Sequence, residues 1–153
     1  MHSRHRATPR RSAHSELGLT NVIFGGERPI EDVPYLLARA DVCVTNLLPD
    51  AYLEKIVSVK VFEYLACEKP VVGGLRGEGA RVLEESGGGI AVEPGDAKAM
   101  ADAVRELLDS PERRAEMGAS GRRYVEQHHS RAAIAARLEE LLVEVTARRN
   151  GSA

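Results

Sequence analysis

The sequence predicts an α/β domain in which a parallel β-sheet is covered by helices on both faces, followed by a C-terminal helical extension. From about residue 21 onward, short apolar runs alternate with amphipathic stretches, and short turns separate them. The last third of the chain has helical periodicity throughout. Strands that alternate with helices favour a parallel, Rossmann-like sheet, because parallel strands need a long crossover between them.

Four short apolar runs are the predicted strands. They lie at residues 21–25, 41–47, 69–73 and 89–92. Runs that are apolar on both sides are typical of strands buried on both faces of a sheet. We therefore expect them to form the centre of the domain.

Three helices are predicted between these strands, at residues 30–40, 57–67 and 76–86. The glycines at 87–89 end the third helix, as glycines often do at a helix C-terminus. The apolar spacing of the first two helices assigns their inward faces. The residues expected inside are Val33, Leu36, Leu37 and Ala40 in the first helix, and Val59, Phe62, Leu65 and Ala66 in the second.

The C-terminal helices carry clear start signals. Asp96 is a predicted N-cap, Ser110 and Pro111 are typical of a helix start, and Ser130 caps the final helix. The apolar residues expected on the inward face of the final helix are Ile134, Leu138, Leu141, Leu142 and Val145.

Length and charge limit the organisation of the chain. Its 153 residues suit one domain, and a net charge of −2 gives no global reason to expect nucleic-acid or membrane binding. Residues 1–15 are basic and lack acidic residues, so we expect a disordered leader there, with a transit peptide as the alternative. Residues 16–153 then form the domain.

The remaining composition predicts a cytoplasmic protein, with peripheral membrane association as an alternative. No apolar run approaches the ~20 residues of a membrane span, and no secretory signal is visible. Cys43 and Cys67 lie in apolar segments, which is typical of small core residues in a reducing compartment. Neither has a partner at metal-ligand spacing, and the chain contains no Asp-x-Asp, so no metal site is expected.

Ligands of parallel sheets bind in the loops beyond the carboxyl ends of the strands. Here those loops are residues 25–28, the loop after 41–47, and residues 73–79. The segment 54–72, EKIVSVKVFEYLACEKPVV, connects two of the predicted strands. It resembles the donor-site segment of retaining glycosyltransferases with two Rossmann-like domains (the GT-B type), and in particular the S-K-I-F-E-Y subgroup of the family 4-like enzymes.

The neighbouring segments support this resemblance because LGLTNVIFGG, ADVCV and GEGARVLEESGGGIAVEPGD follow in the same order as in the family. The resemblance covers roughly residues 16–145. It implies a donor-binding domain for a nucleotide-diphosphate sugar, with a cell-surface polysaccharide or glycolipid as the acceptor and no further cofactor.

Glu63 is the strongest candidate site residue. A carboxylate can accept hydrogen bonds from both vicinal hydroxyls of a ribose, and the resemblance assigns that role to Glu63. Lys60 lies one helical turn earlier, where an ammonium group could meet a diphosphate. The alternative is an ordinary i, i+3 Lys–Glu pair on a solvated helix.

The resemblance places Glu54 beside the donor sugar, as the catalytic carboxylate. The common family spacing puts this Glu eight residues before the second one, a position that is Lys55 here, whereas Glu54 is nine residues before Glu63. The S-K-I-F-E-Y subgroup tolerates the longer spacing. An ordinary loop glutamate is the alternative.

Other candidates come from backbone geometry. Ser58 and Val59 begin a helix, where unpaired N–H groups attract phosphate. Gly74, with its neighbouring glycines, would let the backbone approach a ligand, or would merely form a tight turn. Arg76 could stack on a base or reach a phosphate. His128 and His129 are predicted to be a surface pair at a helix end.

The resemblance also implies missing parts. In the family an acceptor domain comes first, and an Arg–Lys pair near the start of the second domain clamps the diphosphate; neither has a counterpart upstream of Leu17. We therefore expect no transferase activity from the chain alone. The alternatives are a non-catalytic remnant, a partner subunit of a split glycosyltransferase that docks through its final helix, or a fragment of a nucleotide-sugar epimerase.

Overall fold

The computed structural model describes residues 18–47 and 53–150. The chain divides into two compact units, residues 1–32 and 33–153, of which the second contains all the strands found in the described residues. The predicted basic leader, residues 1–15, lies outside the described part of the chain.

The described residues of the first unit contain a 3-10 turn, Ile30–Asp32, and no strand. The prediction of a buried strand at 21–25 is wrong, since Ile23 is 92% exposed and Val22 is exposed as well. A strand is stable only when a neighbouring strand satisfies its backbone hydrogen bonds, and the described residues of the first unit contain no strand that could do so.

The second unit is built on a three-stranded parallel sheet with strand order β1-β2-β3. The strands are β1 (Cys43–Asn46), β2 (Val71–Gly74) and β3 (Gly89–Val92). Each lies within a predicted strand or overlaps it, and the register places Asn46 opposite Gly74 and Gly74 opposite Val92. The three carboxyl ends are therefore level at one edge of the sheet.

Six α-helices accompany the sheet among the described residues. All were predicted, although α1 is shorter than the expected helix at 30–40. In chain order they are α1 (Val33–Ala38), α2 (Val59–Ala66), α3 (Gly77–Ser86), α4 (Ala97–Leu108), α5 (Pro111–His128) and α6 (Arg131–Asn150).

The core lies on both faces of the sheet, as predicted. Successive residues of a strand point to opposite faces. Val71 of β2 accordingly packs with Leu65 and Leu83, from α2 and α3, whereas Val72 packs with Leu107 of α4. Helices thus cover both faces of a parallel sheet.

The helix boundaries follow the predicted local signals. The Asp96 side chain accepts a hydrogen bond from the Ala99 N–H at 2.8 Å, and the Ser130 hydroxyl accepts one from the Ala133 N–H at 3.2 Å. Gly87 ends α3 in the left-handed conformation, with φ of 58°. Pro111 occupies the first turn of α5. Each of these signals involves residues within about one helical turn, so it does not depend on tertiary packing.

Three predicted inward faces need correction. Leu36 of α1 is exposed, and in α2 the residue facing the core is Val61, whereas Val59 is 68% exposed and Ala66 is exposed too. Leu65 is buried as predicted. The apolar face predicted for α6 is exposed along its length, because no other described element packs over these five residues: Ile134, Leu138, Leu141, Leu142 and Val145.

No helix in the described part of the chain combines the length and apolar character needed to cross a membrane.

Candidate functional site

The candidate site lies at the level carboxyl edge of the sheet. The chain leaves β2 through Leu75 and Arg76 into α3, and leaves β3 through Glu93 toward α4. Residues 48–52, in the loop after β1, are outside the described residues, and the chain resumes in a 3-10 turn, Leu53–Lys55. These three connections bring Glu54, Arg76 and Glu93 together.

Arg76 connects the two carboxylates. Its Nε donates a hydrogen bond to Glu93 Oε2 at 3.1 Å, and its Nη2 pairs with Glu93 Oε1. Its Nη1 lies 3.6 Å from Glu54 Oε1. The hydrogen bonds and charge of Glu93, followed by those of Glu54, raise the pKa of Arg76 above its ordinary value. The guanidinium considered for a base or a phosphate is therefore held by two acidic side chains.

Two glycines shape the same edge. Gly77 has φ of 58°, and a Cβ built on it would lie 2.1 Å from the backbone oxygen of Glu54, so the 3-10 turn packs directly on the start of α3. A Cβ on Gly74 would lie 2.0 Å from Asn46 Oδ1. The space above Gly74 is thus filled by the Asn46 side chain. Gly77 serves the tight turn that was the alternative to ligand contact.

The remaining predicted site residues lie on α2 or at its N-cap. Residues 56–58 connect the 3-10 turn to this helix. Val61 and Leu65 face the core, while Val59, Lys60 and Glu63 are exposed on the other side. Neither Lys60 nor Glu63 forms an ion pair with another described residue. The i, i+3 pair considered as the alternative is therefore not formed, and both charged groups are accessible to a ligand.

The start of α2 also has unused polar groups. Ser58, which was predicted to begin the helix with Val59, is its N-cap residue, and its hydroxyl makes no capping hydrogen bond. The first N–H groups of a helix have no partner within the helix. Together with the hydroxyl of Ser58, the N–H groups near Val59 could therefore donate hydrogen bonds to an anion.

The family is decided by a comparison with known proteins. Residues 4–110 match the family described as glycosyl transferases group 1. The chain belongs to the group 1 glycosyltransferases. The donor-site prediction was based on a resemblance to GT-B glycosyltransferases. The family match confirms this resemblance at the level of the GT-B glycosyltransferases.

Two relatives of this group 1 glycosyltransferase are mannosyltransferases. The first, 33% identical over 124 residues, is the GDP-mannose-dependent monoacylated alpha-(1-6)-phosphatidylinositol monomannoside mannosyltransferase of Corynebacterium glutamicum. The second, 34% identical over 134 residues, is the GDP-mannose-dependent alpha-(1-6)-phosphatidylinositol monomannoside mannosyltransferase of Mycolicibacterium smegmatis. The matches cover 80% and 84% of this chain but only 32% and 34% of the relatives. The chain spans about a third of their length.

A solved structure confirms the fold. Sucrose-phosphate synthase from Thermosynechococcus elongatus superposes with a TM-score of 0.73 at 24% sequence identity, over 91% of this chain and 34% of that one. The Rossmann-like unit is therefore one half of a GT-B fold, as the sequence predicted.

The histidines near the end of α5 differ from the prediction. His128 is exposed, but His129 is half-buried, with its ring centroid 4.5 Å from that of Phe62 and 5.3 Å from that of Tyr124. Its Nε2 is buried without a hydrogen-bond partner among the described residues, and burial lowers the pKa of His129. His129 thus joins α5 to α2 by packing, which the local sequence did not reveal.

Cys43 is a core residue, as predicted: it is buried, and burial raises the pKa of its thiol to about 11. Cys67 is half-buried and is also a free thiol. Within residues 18–47 and 53–150, no three His, Cys, Asp or Glu side chains are grouped so that they could hold a metal ion.

Proposed function

We propose that this group 1 glycosyltransferase chain is a donor-binding domain for a nucleotide-diphosphate sugar in a retaining transfer reaction. The observation that carries the proposal is the exposed face of α2, where Glu63 and Lys60 have no ion-pair partner among the described residues. Two mannosyltransferase relatives are named for their use of GDP-mannose, which makes GDP-mannose the donor of choice.

The proposed contacts follow from the chemistry of the donor. Glu63 accepts hydrogen bonds from the two ribose hydroxyls, and Lys60 neutralises charge on the diphosphate. The Ser58 hydroxyl and the N–H groups at Val59 donate to phosphate oxygens. Gly74, at the carboxyl end of β2, is left without a direct contact in this arrangement, because the Asn46 side chain fills the space above it. The carboxylate thus accepts hydrogen bonds from the hydroxyls of the donor, and the hydroxyl, N–H and ammonium groups donate to its phosphate oxygens.

The sugar is assigned to the neighbouring turn, where Glu54 supplies a carboxylate. Because the turn ends just before α2 begins, a nucleotide on α2 would extend its diphosphate and sugar toward the carboxyl edge of the sheet. Glu54 is then proposed as the catalytic carboxylate beside the donor sugar. No metal is required by this arrangement.

The acceptor is proposed to be a glycolipid or a cell-surface polysaccharide. Both mannosyltransferase relatives carry phosphatidylinositol monomannoside in their names. A lipid acceptor would bring the protein to a membrane surface from the cytoplasm. Family membership favours glycosyl transfer over the epimerase alternative.

The exposed apolar face of α6 is the proposed contact with an acceptor-binding domain or a separate partner protein. A helix of 20 residues with an uncovered apolar face is stabilised when that face is buried. A groove of about 370 Å³ on this helix is lined by Leu138, Leu142 and Val143, among others. Because the chain corresponds to about a third of its relatives, we expect it to give no turnover with GDP-mannose and a lipid acceptor by itself.

A binding titration of the purified chain with GDP-mannose, with UDP-glucose for comparison, tests the donor proposal. Replacing Glu63→Gln should weaken GDP-mannose binding by more than about tenfold, since hydrogen bonds to a charged group contribute about 1.5–3 kcal/mol. Glu116→Gln is the matched control, because Glu116 is an exposed glutamate on another helix, α5. Equal affinities of the Glu63→Gln variant and the unaltered chain would remove Glu63 from the site.

An assay of turnover separates the enzyme from the partner-subunit version. Turnover by the chain alone would contradict the expectation of a partial enzyme. Turnover that requires an added acceptor-binding protein would support the version with a separate partner, and the α6 variant Leu138→Glu should then abolish it while leaving GDP-mannose affinity unchanged.

A further inference from the structure

Three charged side chains from separate segments form a row at the carboxyl edge of the sheet: Glu93 after β3, Arg76 after β2, and Glu54 in the 3-10 turn before α2. Glu93 engages both Nε and Nη2 of Arg76. Since a guanidinium is planar and rigid, this two-point contact fixes its plane and leaves Nη1 directed at Glu54.

A second contact reaches the same turn from the next residue. Gly77 packs against the backbone oxygen of Glu54 so closely that a Cβ would lie 2.1 Å from it. The start of α3 therefore fixes the main chain of Glu54 through Gly77, and Arg76 needs only to orient the side chain. Arg76 and Gly77 are consecutive residues, and they contact the side chain and the main chain of Glu54, respectively.

The local charge indicates which ligand this row suits. Two carboxylates against one guanidinium leave a net negative charge, which disfavours a phosphate and favours groups that donate hydrogen bonds, such as sugar hydroxyls. The side chains of Glu54 and Arg76 are 42% and 49% exposed, so a ligand can reach them. A carboxylate has about four acceptor positions, so Glu54 keeps most of them while Arg76 approaches one oxygen.

We infer that Arg76 is a positioning residue for the donor's sugar: anchored by Glu93, it holds the Glu54 carboxylate where that group accepts hydrogen bonds from sugar hydroxyls. This inference rests on the proposed function, because it requires the donor's sugar to lie at this edge. It separates two contributions to donor binding. The nucleotide is held by α2, and the sugar is held by the Glu93–Arg76–Glu54 row.

The test compares GDP with GDP-mannose as probes of the same chain. Arg76→Gln should lower the affinity for GDP-mannose about five- to tenfold, while the affinity for GDP, which has no sugar to be positioned, changes less than about twofold. Glu93→Gln should give a smaller loss in the same direction, and it tests the row without altering the start of α3. Arg76→Lys should recover part of the loss, because an ammonium keeps the charge but not the fork.

Arg81 provides the matched control. It also lies between two glutamates, Glu78 and Glu85, but on the exposed side of α3. Arg81→Gln should leave both affinities unchanged. A double variant, Glu54→Gln with Arg76→Gln, should bind GDP-mannose no more weakly than Glu54→Gln alone, since Arg76 acts through Glu54.

Each outcome decides between the two proposals. An equal loss of GDP and GDP-mannose affinity in Arg76→Gln would overturn the positioning role, as would additive losses in the double variant. Absence of binding of either probe by the unaltered chain would instead contradict the proposed function. The contact between Arg76 and Glu54 can also be tested without any ligand, from amide NMR signals. The signals of Glu54 and Lys55 should shift in Arg76→Gln and not in Arg81→Gln. Unshifted signals in Arg76→Gln would overturn the inference by themselves.

Discussion

The charged side chains on the exposed face of α3 form ion pairs within the helix, whereas those on the exposed face of α2 do not. On α3, Arg81 pairs with Glu78 and Glu85, three and four residues away. On α2, Lys60 and Glu63 have the same i, i+3 spacing, yet they pair neither with each other nor with any other described residue. Charges that are satisfied locally contribute modestly to helix stability. Charges left without a local partner can instead interact with a ligand, which is the role proposed for α2.

The two sides of α2 should therefore differ sharply in their effect on stability. Leu65→Ala removes a fully buried side chain from the core and should lower the free energy of unfolding by about 2–5 kcal/mol. Val59→Ala, on the exposed side, should change it by less than about 0.5 kcal/mol. Denaturant unfolding of both variants measures the difference, and similar losses would show that the exposed side is also part of the packed core.

The start of α3 offers a test of how tightly the Glu54 turn is held. Gly77→Ala should cost about 1–3 kcal/mol from its positive φ alone, and more because its Cβ meets the backbone of Glu54. Gly95→Ala is the control, since Gly95 also has a positive φ, of 87°, but has no neighbour within 4 Å. Equal losses of unfolding free energy in the two variants would mean that the turn carrying Glu54 moves easily to make room for the added Cβ.

The contact between α5 and α2 predicts a smaller, pH-dependent effect. Burial lowers the pKa of His129 below its ordinary value of 6.5, so the unfolded chain takes up this proton more readily than the folded one. Stability should therefore fall as the pH decreases through about 6.5 and below. His129→Phe should remove this part of the decrease, while His128→Phe should retain the larger part of it, which is due to burial, and lose only the part due to the charge of His128. Thermal unfolding between pH 5 and pH 8 measures it, and identical profiles for the unaltered chain and His129→Phe would contradict the assignment.

The elements with local signals were predictable from the sequence. The strands around Val44, Val72 and Ile90 have runs of apolar residues, and the Asp96 and Ser130 caps and the Gly87 stop depend on residues within one turn. The segment 21–25 has an equally apolar run, but a strand also needs a neighbour, and this requirement is not visible in the run itself. The fold class was therefore predictable, whereas the number of strands found in the described residues was not.

The site was predictable only in part, for a related reason. Glu63 and Lys60 are adjacent on one helix, so their shared exposed face follows from helical spacing. The contact between Glu54, Arg76 and Glu93 joins residues 22 and 17 positions apart, through loops whose geometry the sequence does not specify. The packing of His129 on Phe62 is likewise a contact between distant helices. Such contacts depend on the assembled sheet edge.

A crystal structure of the chain with bound GDP-mannose would test the proposed donor site most directly. We predict that both ribose hydroxyls lie within hydrogen-bond distance, about 3 Å, of the Glu63 carboxylate, with the mannose toward Glu54. A nucleotide bound elsewhere, or one whose ribose makes no contact with Glu63, would contradict the claim that the unpaired charges of α2 form the donor site.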